Sequence, residues 1–329
     1  MRAEVARYIV LCLALCALSG CASRRNLIAE NLANTSSREV ELVGTPFFPQ
    51  QEYQCGPAAL ATVLVASGVD VSPDALTPLV YLPGRRGSLQ IEMQAAPRNF
   101  GRLAYPLARN LDAIIAELDA ERPVLVLHNY GIPRLPRYHY AVVIGYESAT
   151  SSMILRSGIT QRQVLSAATF MRAWDNGGRW ALVLLRPGEL PATANAATYL
   201  ESAASFERKA SPTDARLAFD AATRRWPDQV IAWVGRGTAE YRAGSLPAAA
   251  RDYGTAVRLD GSNIGARNNL AMTLLELGCP SRAREQLEEV KDAELKSPLR
   301  EAVLDTRQRL AAAAENITRR DATTCAGTP

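Results

Sequence analysis

A cysteine followed by glycine and proline, in Gln54-Cys55-Gly56-Pro57-Ala58-Ala59-Leu60, and a histidine opening the run His139-Tyr-Ala-Val-Val-Ile-Gly-Tyr146 are the two parts that thiol-nucleophile catalysis needs. Pro57 suits the first turn of a helix, where its missing N–H would be unpaired anyway. The run Ala58 to Ala66 then reads as a buried helix. Cys55 would stand at the positive end of that helix, which favours thiolate over thiol. The chain has only two histidines, so the search for a base is short. In a strand, His139 shares a face with Ala141 and Val143, small residues that leave room for a facing helix. His128 ends the apolar strand Val124-Leu-Val-Leu127 and reads as structural. A lone cysteine in an apolar helix is commonly inert. The Gly-Pro after Cys55, the glutamines before it and the compatible histidine point instead to catalysis.

The segment Gln50 to Leu60, taken with His139 to Tyr146, resembles the papain-like C39 group of cysteine peptidases, which includes domains that trim leader peptides in bacteriocin export. The resemblance covers roughly Pro46 to Pro187. It implies an α+β papain-like fold, with Cys55 as nucleophile and His139 as its base. It also implies an upstream glutamine that donates an N–H to an oxyanion hole beside the Cys55 backbone N–H. Gln50 is the candidate, with Gln51 next. Relatives usually place this glutamine one residue further from the cysteine, where this chain has Pro49. A second departure concerns the strand after the histidine, which in the family ends in an Asp that orients the imidazole. This chain reads Ser151-Ser-Met-Ile-Leu-Arg-Ser157-Gly158 there, with no carboxylate. Ser157 and the more distant Asp175 are the candidates to orient His139. A thiolate–imidazolium pair depends less on such a carboxylate than a serine triad does.

At the N-terminus, Arg2 and Arg7 precede an apolar stretch from Tyr8 to Leu18 that is short for a bilayer span. It ends in Leu18-Ser19-Gly20-Cys21, which resembles the lipobox of bacterial lipoproteins. That resemblance implies cleavage before Cys21 and lipidation of Cys21, with several acyl chains giving a stable anchor. Ala22, rather than Asp, after the anchor implies the outer membrane, facing the periplasm. Residues 1–20 are then the signal peptide and 21–44 a polar lipidated tether.

Composition agrees with an exported globular protein of two domains. The net charge of +4 comes without a basic block, which argues against nucleic acid. No Gly-x4-Gly-Lys-Ser/Thr motif is present, so no ATP-driven transporter is attached. Two histidines and no Cys-x2-Cys pattern make a metal site improbable, and no cofactor is implied.

Residues 45–188 form the C39-like region. Its expected helices are the Cys55 helix, Ser88 to Phe100, Asn110 to Ala120 and Ala167 to Trp174. Its expected strands are Pro123–Leu127, Tyr138–Tyr146, Met153–Arg156 and Trp180–Leu185. Pro83 to Ser88 reads as a loop near the site, with Arg85 and Arg86 either touching substrate or simply solvated. Residues 189–197 form a linker.

Residues 198–316 repeat themselves. Trp233, Gly237, Tyr241, Gly244, Ala249, Tyr253 and Ala256 match the tetratricopeptide pattern. A shift of 34 residues gives Arg267, Ala271, Leu275, Gly278, Ala283, Leu287 and Val290. A weaker first unit carries Ala203, Ala210 and Ala215. Three repeats capped by a helix near Leu299–Ala314 are expected to bind a protein partner, before a tail at 317–329. Cys279 and Cys325 are candidates for a disulfide that would stabilise by about 3–4 kcal/mol.

Two functions follow. One is a membrane-anchored cysteine peptidase or amide hydrolase acting on peptide or protein substrates, which the repeats capture. The other is a degenerate envelope scaffold that binds partners through its repeats.

Overall fold

The computed structural model describes residues 39–50, 54–132, 134–291 and 299–314. The expectations for the signal peptide, Cys21, Gln51 and Cys325 lie outside these residues. The described residues divide into two compact units: those within 39–97, 104–184 and 191–193 form one, and those within 98–103, 185–190 and 194–314 the other.

The first unit is α/β. In chain order its elements are β1 (Glu39–Glu41), α1 (Cys55–Ala66), α2 (Pro73–Val80), α3 (Gln90–Ala95), β2 (Leu103–Pro106), α4 (Leu111–Asp119), β3 (Val124–Asn129), β4 (Tyr138–Glu147), β5 (Ser152–Ser157), β6 (Thr160–Ser166), α5 (Ala167–Asn176) and β7 (Ala181–Leu185). The strands form one seven-stranded sheet in the order β2-β7-β3-β4-β5-β6, with β1 paired to β4. The pairings of β4 with β1, β3 and β5 are all antiparallel. β3, β4 and β7 are continuous apolar runs because both faces are covered.

Some expected elements differ. The segment read as a tether up to Gly44 contributes β1, whose Val40 pairs with Tyr146. Gly145 permits this, since a Cβ there would meet the Val40 carbonyl oxygen at 2.2 Å. The helix expected from Ser88 to Phe100 stops as α3 at Ala95 and tightens into a 3-10 turn over Ala96–Phe100. Pro97 brings no N–H to continue the α-helical ladder.

The second unit is all-α: α6 (Ala196–Glu207), α7 (Pro212–Arg225), α8 (Val230–Arg242), α9 (Leu246–Leu259), α10 (Ile264–Glu276), α11 (Pro280–Glu288) and α12 (Leu299–Ala314). Consecutive helices pack on one another, and α12 covers α10 and α11. The repeat pattern has physical content. Ala249 and Ala283 are fully buried, where only a small side chain lets two helices approach. Gly244 and Gly278 both take φ of 76° at the turns between helices, a left-handed geometry that suits glycine. Asn195, Ser211 and Asn263 cap their helices, each side chain accepting from the amide three residues on. Arg236 lies 4.4 Å over the Trp233 ring and pairs with the buried Asp252 at 2.5 Å. Cys279 is buried and disulfide-bonded.

Candidate active site

Cys55 is the first residue of α1, and Gln54 caps that helix without a side-chain hydrogen bond. The Gln54 side chain is used elsewhere, its Oε1 accepting from Thr77 at 3.1 Å. The buried run from Gly56 to Leu64 locks α1 into the core, so its first turn is held rigidly. Gly56 is required here. A Cβ at this position would meet Ser88 Oγ at 2.1 Å, because Ser88 lies directly against the turn that carries the thiol.

The half-buried Cys55 thiol faces β4. Burial pushes its pKa up, and the backbone N–H groups of Tyr140, Gly56 and Cys55 itself oppose that rise. The helix start therefore stabilises thiolate, as its sequence position suggests, but desolvation is the larger effect. The same three amides form a cluster of donors around the sulfur, which favours the thiolate formed when the proton leaves.

His139 immediately precedes Tyr140 on β4. Its Nε2 lies 3.0 Å from Ser157 Oγ on β5. Burial lowers the pKa of His139, so the resting imidazole is neutral. Of the two candidate partners, Ser157 is the one that meets the ring. Asp175 instead pairs with Arg179 at 2.5 Å. The helix on the His139 face is α5, whose Phe170 lies edge-on to the neighbouring His128 at 5.0 Å between ring centroids.

Gln50 reaches the same place. Its Nε2 donates to the Tyr140 carbonyl at 3.4 Å, and its backbone N–H donates to Gly158 at 3.1 Å. Cys55, His139, Gln50 and Ser157 thus converge on the dipeptide His139-Tyr140. Gln50 is held by a residue that the sequence reading passed over. Arg156 is buried, and its guanidinium donates to the carbonyls of Thr45, Val43 and Gln161. That clamp fastens the segment leading to Gln50. An arginine inside the apolar strand Met153-Ile-Leu-Arg156 was the available signal, since a buried guanidinium must find acceptors.

His128 is fully buried, with its pKa pushed down to about 4 by desolvation first and by His139 second. Its Nδ1 lies 2.9 Å from the Tyr130 hydroxyl. A neutral ring braced in the core fits the structural role expected of it. Among the described residues no group of three or more His, Cys, Asp or Glu could hold a metal ion.

Residues 43–181 match the family described as Peptidase_C39 like, and residues 200–264 match the tetratricopeptide repeat. The chain thus carries a C39-like region followed by tetratricopeptide repeats. Among solved structures, a C39-like peptidase from Bacillus anthracis is similar at 16% identity and a TM-score of 0.39, over 45% of this chain and 98% of that one. The peptidase domain of Streptococcus ComA, described as a bifunctional ABC transporter of a quorum-sensing pathway, is similar at 22% identity and a TM-score of 0.34, over 46% and 99%. On the repeat side, the TPR2B domain of yeast Sti1 is similar at 17% identity and a TM-score of 0.34, over 37% and 98%. No curated protein matches the chain.

Proposed function

We propose that this protein is a cysteine peptidase or amide hydrolase that acts on peptide or protein substrates in the bacterial envelope. The observation that carries the reading is that Cys55 meets the backbone N–H of Tyr140, the residue next to the imidazole that Ser157 braces. Both groups are neutral at rest, so His139 takes the thiol proton as sulfur attacks the acyl carbon. The sulfur–carbon bond forms, and the oxyanion is met by backbone N–H groups at the start of α1 and by the Gln50 amide. The imidazolium returns its proton to the leaving amine as the carbon–nitrogen bond breaks. Water, deprotonated by the same imidazole, then cleaves the thioester and regenerates the thiol. The repeats bind substrate or a protein partner, and Cys21 carries the lipid that holds the chain at the outer membrane on its periplasmic side.

Labelling by a thiol-reactive acyl probe tests this reading. Wild type should be labelled at Cys55, and Cys55→Ala should lose both labelling and peptide turnover. Turnover that survives in Cys55→Ala removes the hydrolase.

A second reading keeps the fold without the reaction. Ser157 stands where relatives place a carboxylate, and burial pushes both the thiol and the imidazole towards their neutral forms. A scaffold lipoprotein working through its repeats would show no more Cys55 labelling than a denatured control.

A further inference from the structure

We propose that the β3–β4 hairpin is a docking surface for a peptide segment that carries acidic and large apolar side chains. The inference rests on the hydrolase reading only in treating the docked segment as substrate. The hairpin runs from Asn129 to Tyr138 and delivers the chain straight into His139.

The hairpin displays apolar surface that the fold does not use. Ile132, Leu135 and Tyr138 are 60%, 72% and 60% exposed. Isolated exposed apolar residues are ordinary, but several on one short hairpin beside a candidate site indicate a binding surface.

The display is rigid. Asn129 Oδ1 accepts from the amides of Gly131 at 2.9 Å and Arg137 at 2.8 Å, and Tyr130 N–H donates to the Arg137 carbonyl at 3.0 Å. A bridge from Leu135 N–H to the Ile132 carbonyl at 2.9 Å closes the tip. The Tyr130 hydroxyl is held by the buried His128, while its ring lies 6.1 Å from that of His139. A surface already fixed in this way loses little entropy when a peptide docks on it.

The charge selects the partner. Arg134 and Arg137 are exposed on the hairpin and form no ion pair among the described residues. No Asp or Glu occurs from Asn129 to Tyr146. The turn that ends at Ser88 carries part of the same combination: Arg85 is exposed there and Ile91 is 70% exposed, while the half-buried Glu92 follows directly. Ser88 itself abuts Gly56 and accepts from the Tyr140 hydroxyl at 3.3 Å. The hairpin is therefore apolar and basic, which complements an acidic peptide with apolar anchors. A free peptide also suits the hairpin's place at the His139 end of β4. β1, which leads in from Glu39, pairs at the opposite end, with Glu147.

The test uses the full chain carrying Cys55→Ala, so that binding is read without turnover. Fluorescently labelled peptides of equal length carry alternating Leu and Glu, Leu and Lys, or Ser and Glu. Anisotropy should show the Leu/Glu peptide binding about tenfold tighter than either other peptide, and weakening as salt is raised. Arg134→Glu with Arg137→Glu should shift the preference to the Leu/Lys peptide. Ile132→Ser with Leu135→Ser should weaken the Leu/Glu peptide while leaving the Ser/Glu peptide unchanged. Equal affinity for all three peptides, or a preference that survives charge reversal, overturns the proposal. So does an absence of peptide discrimination combined with hairpin-dependent sedimentation on anionic phosphatidylglycerol vesicles, which would identify a lipid surface. Discrimination in Cys55→Ala alongside a wild type that no acyl probe labels would retain the docking surface and remove the hydrolase.

Discussion

Cys55 is poised between two opposing influences, and its chemistry depends on their balance. Desolvation lifts the thiol pKa, while the amides of Tyr140, Gly56 and Cys55 hold it down. Burial also lowers the His139 pKa, so the proposed reaction starts by proton transfer rather than from a standing ion pair. Alkylation of wild-type Cys55 should therefore keep rising with pH beyond the ordinary thiol pKa of about 8.5. His139→Ala should slow alkylation at neutral pH by at least tenfold, within the range attributed to a positioned base. Ser157→Ala should cost less, since a neutral hydroxyl only orients the ring. Ser157→Asp should raise the His139 pKa and speed alkylation. Stopped-flow rates against pH read all three, and an unchanged rate in His139→Ala removes the base role. His128 supports a separate expectation. Its pKa falls from 6.5 to about 4 on folding, so below 6.5 the unfolded chain binds the proton more readily. Stability should fall as pH drops from 6.5 towards 4, by an amount on the order of 2–3 kcal/mol for this one group. Urea melts at neutral pH and at pH of about 5 should show a smaller acid loss in His128→Gln than in wild type, unless the ring is protonated in the fold.

Elements that could be read from the sequence are those whose packing leaves a strong apolar signature. α1, β3, β4 and β7 are continuous buried runs, and the repeat helices show their small residues at fixed spacing. β6 was passed over because Thr160-Gln-Arg-Gln-Val-Leu-Ser166 is a largely exposed edge strand with little apolar content. α2 was hidden by Pro78 within its eight residues, although Ser72 caps it and Leu76 and Val80 anchor it. The site divides in the same way. Cys55 and His139 are proposed to act through their side chains, so their residue types mark them as candidates in the sequence. Tyr140 acts through its backbone N–H, which any residue would supply, so its type gave no hint. In the repeats, Gly235 can be read only with the structure in hand. A Cβ there would meet the buried Phe219 ring at 2.3 Å. Gly235→Ala should destabilise the α7–α8 packing by about 1–3 kcal/mol, as overpacking does. Denaturant unfolding followed by the fluorescence of Trp226 and Trp233 should show the loss, with the Cys55 alkylation rate unchanged. A variant as stable as wild type would mean that the Phe219 ring moves aside freely.

In the whole chain a C39-like region is followed by tetratricopeptide repeats, and the proposed membrane attachment rests on Cys21. No described helix is long and apolar enough to cross a bilayer. The net charge of +4 lacks the dense basic cluster that would hold a protein on anionic lipid by electrostatics alone. If the chain is anchored as proposed, the anchor is covalent lipid at Cys21. Cys21→Ser should then abolish incorporation of labelled palmitate and shift the protein from the detergent phase to the aqueous phase. The alkylation rate of Cys55 should stay the same, because the thiol environment is built from α1 and β4. What should change is encounter. Turnover of a membrane-associated protein substrate should fall, while turnover of a short soluble peptide is unaffected. A Cys21→Ser protein that still enters the detergent phase with bound acyl chains would overturn the anchor. An unlipidated wild type would overturn the anchor as well, leaving the proposed choice of substrate to the hairpin and the repeats.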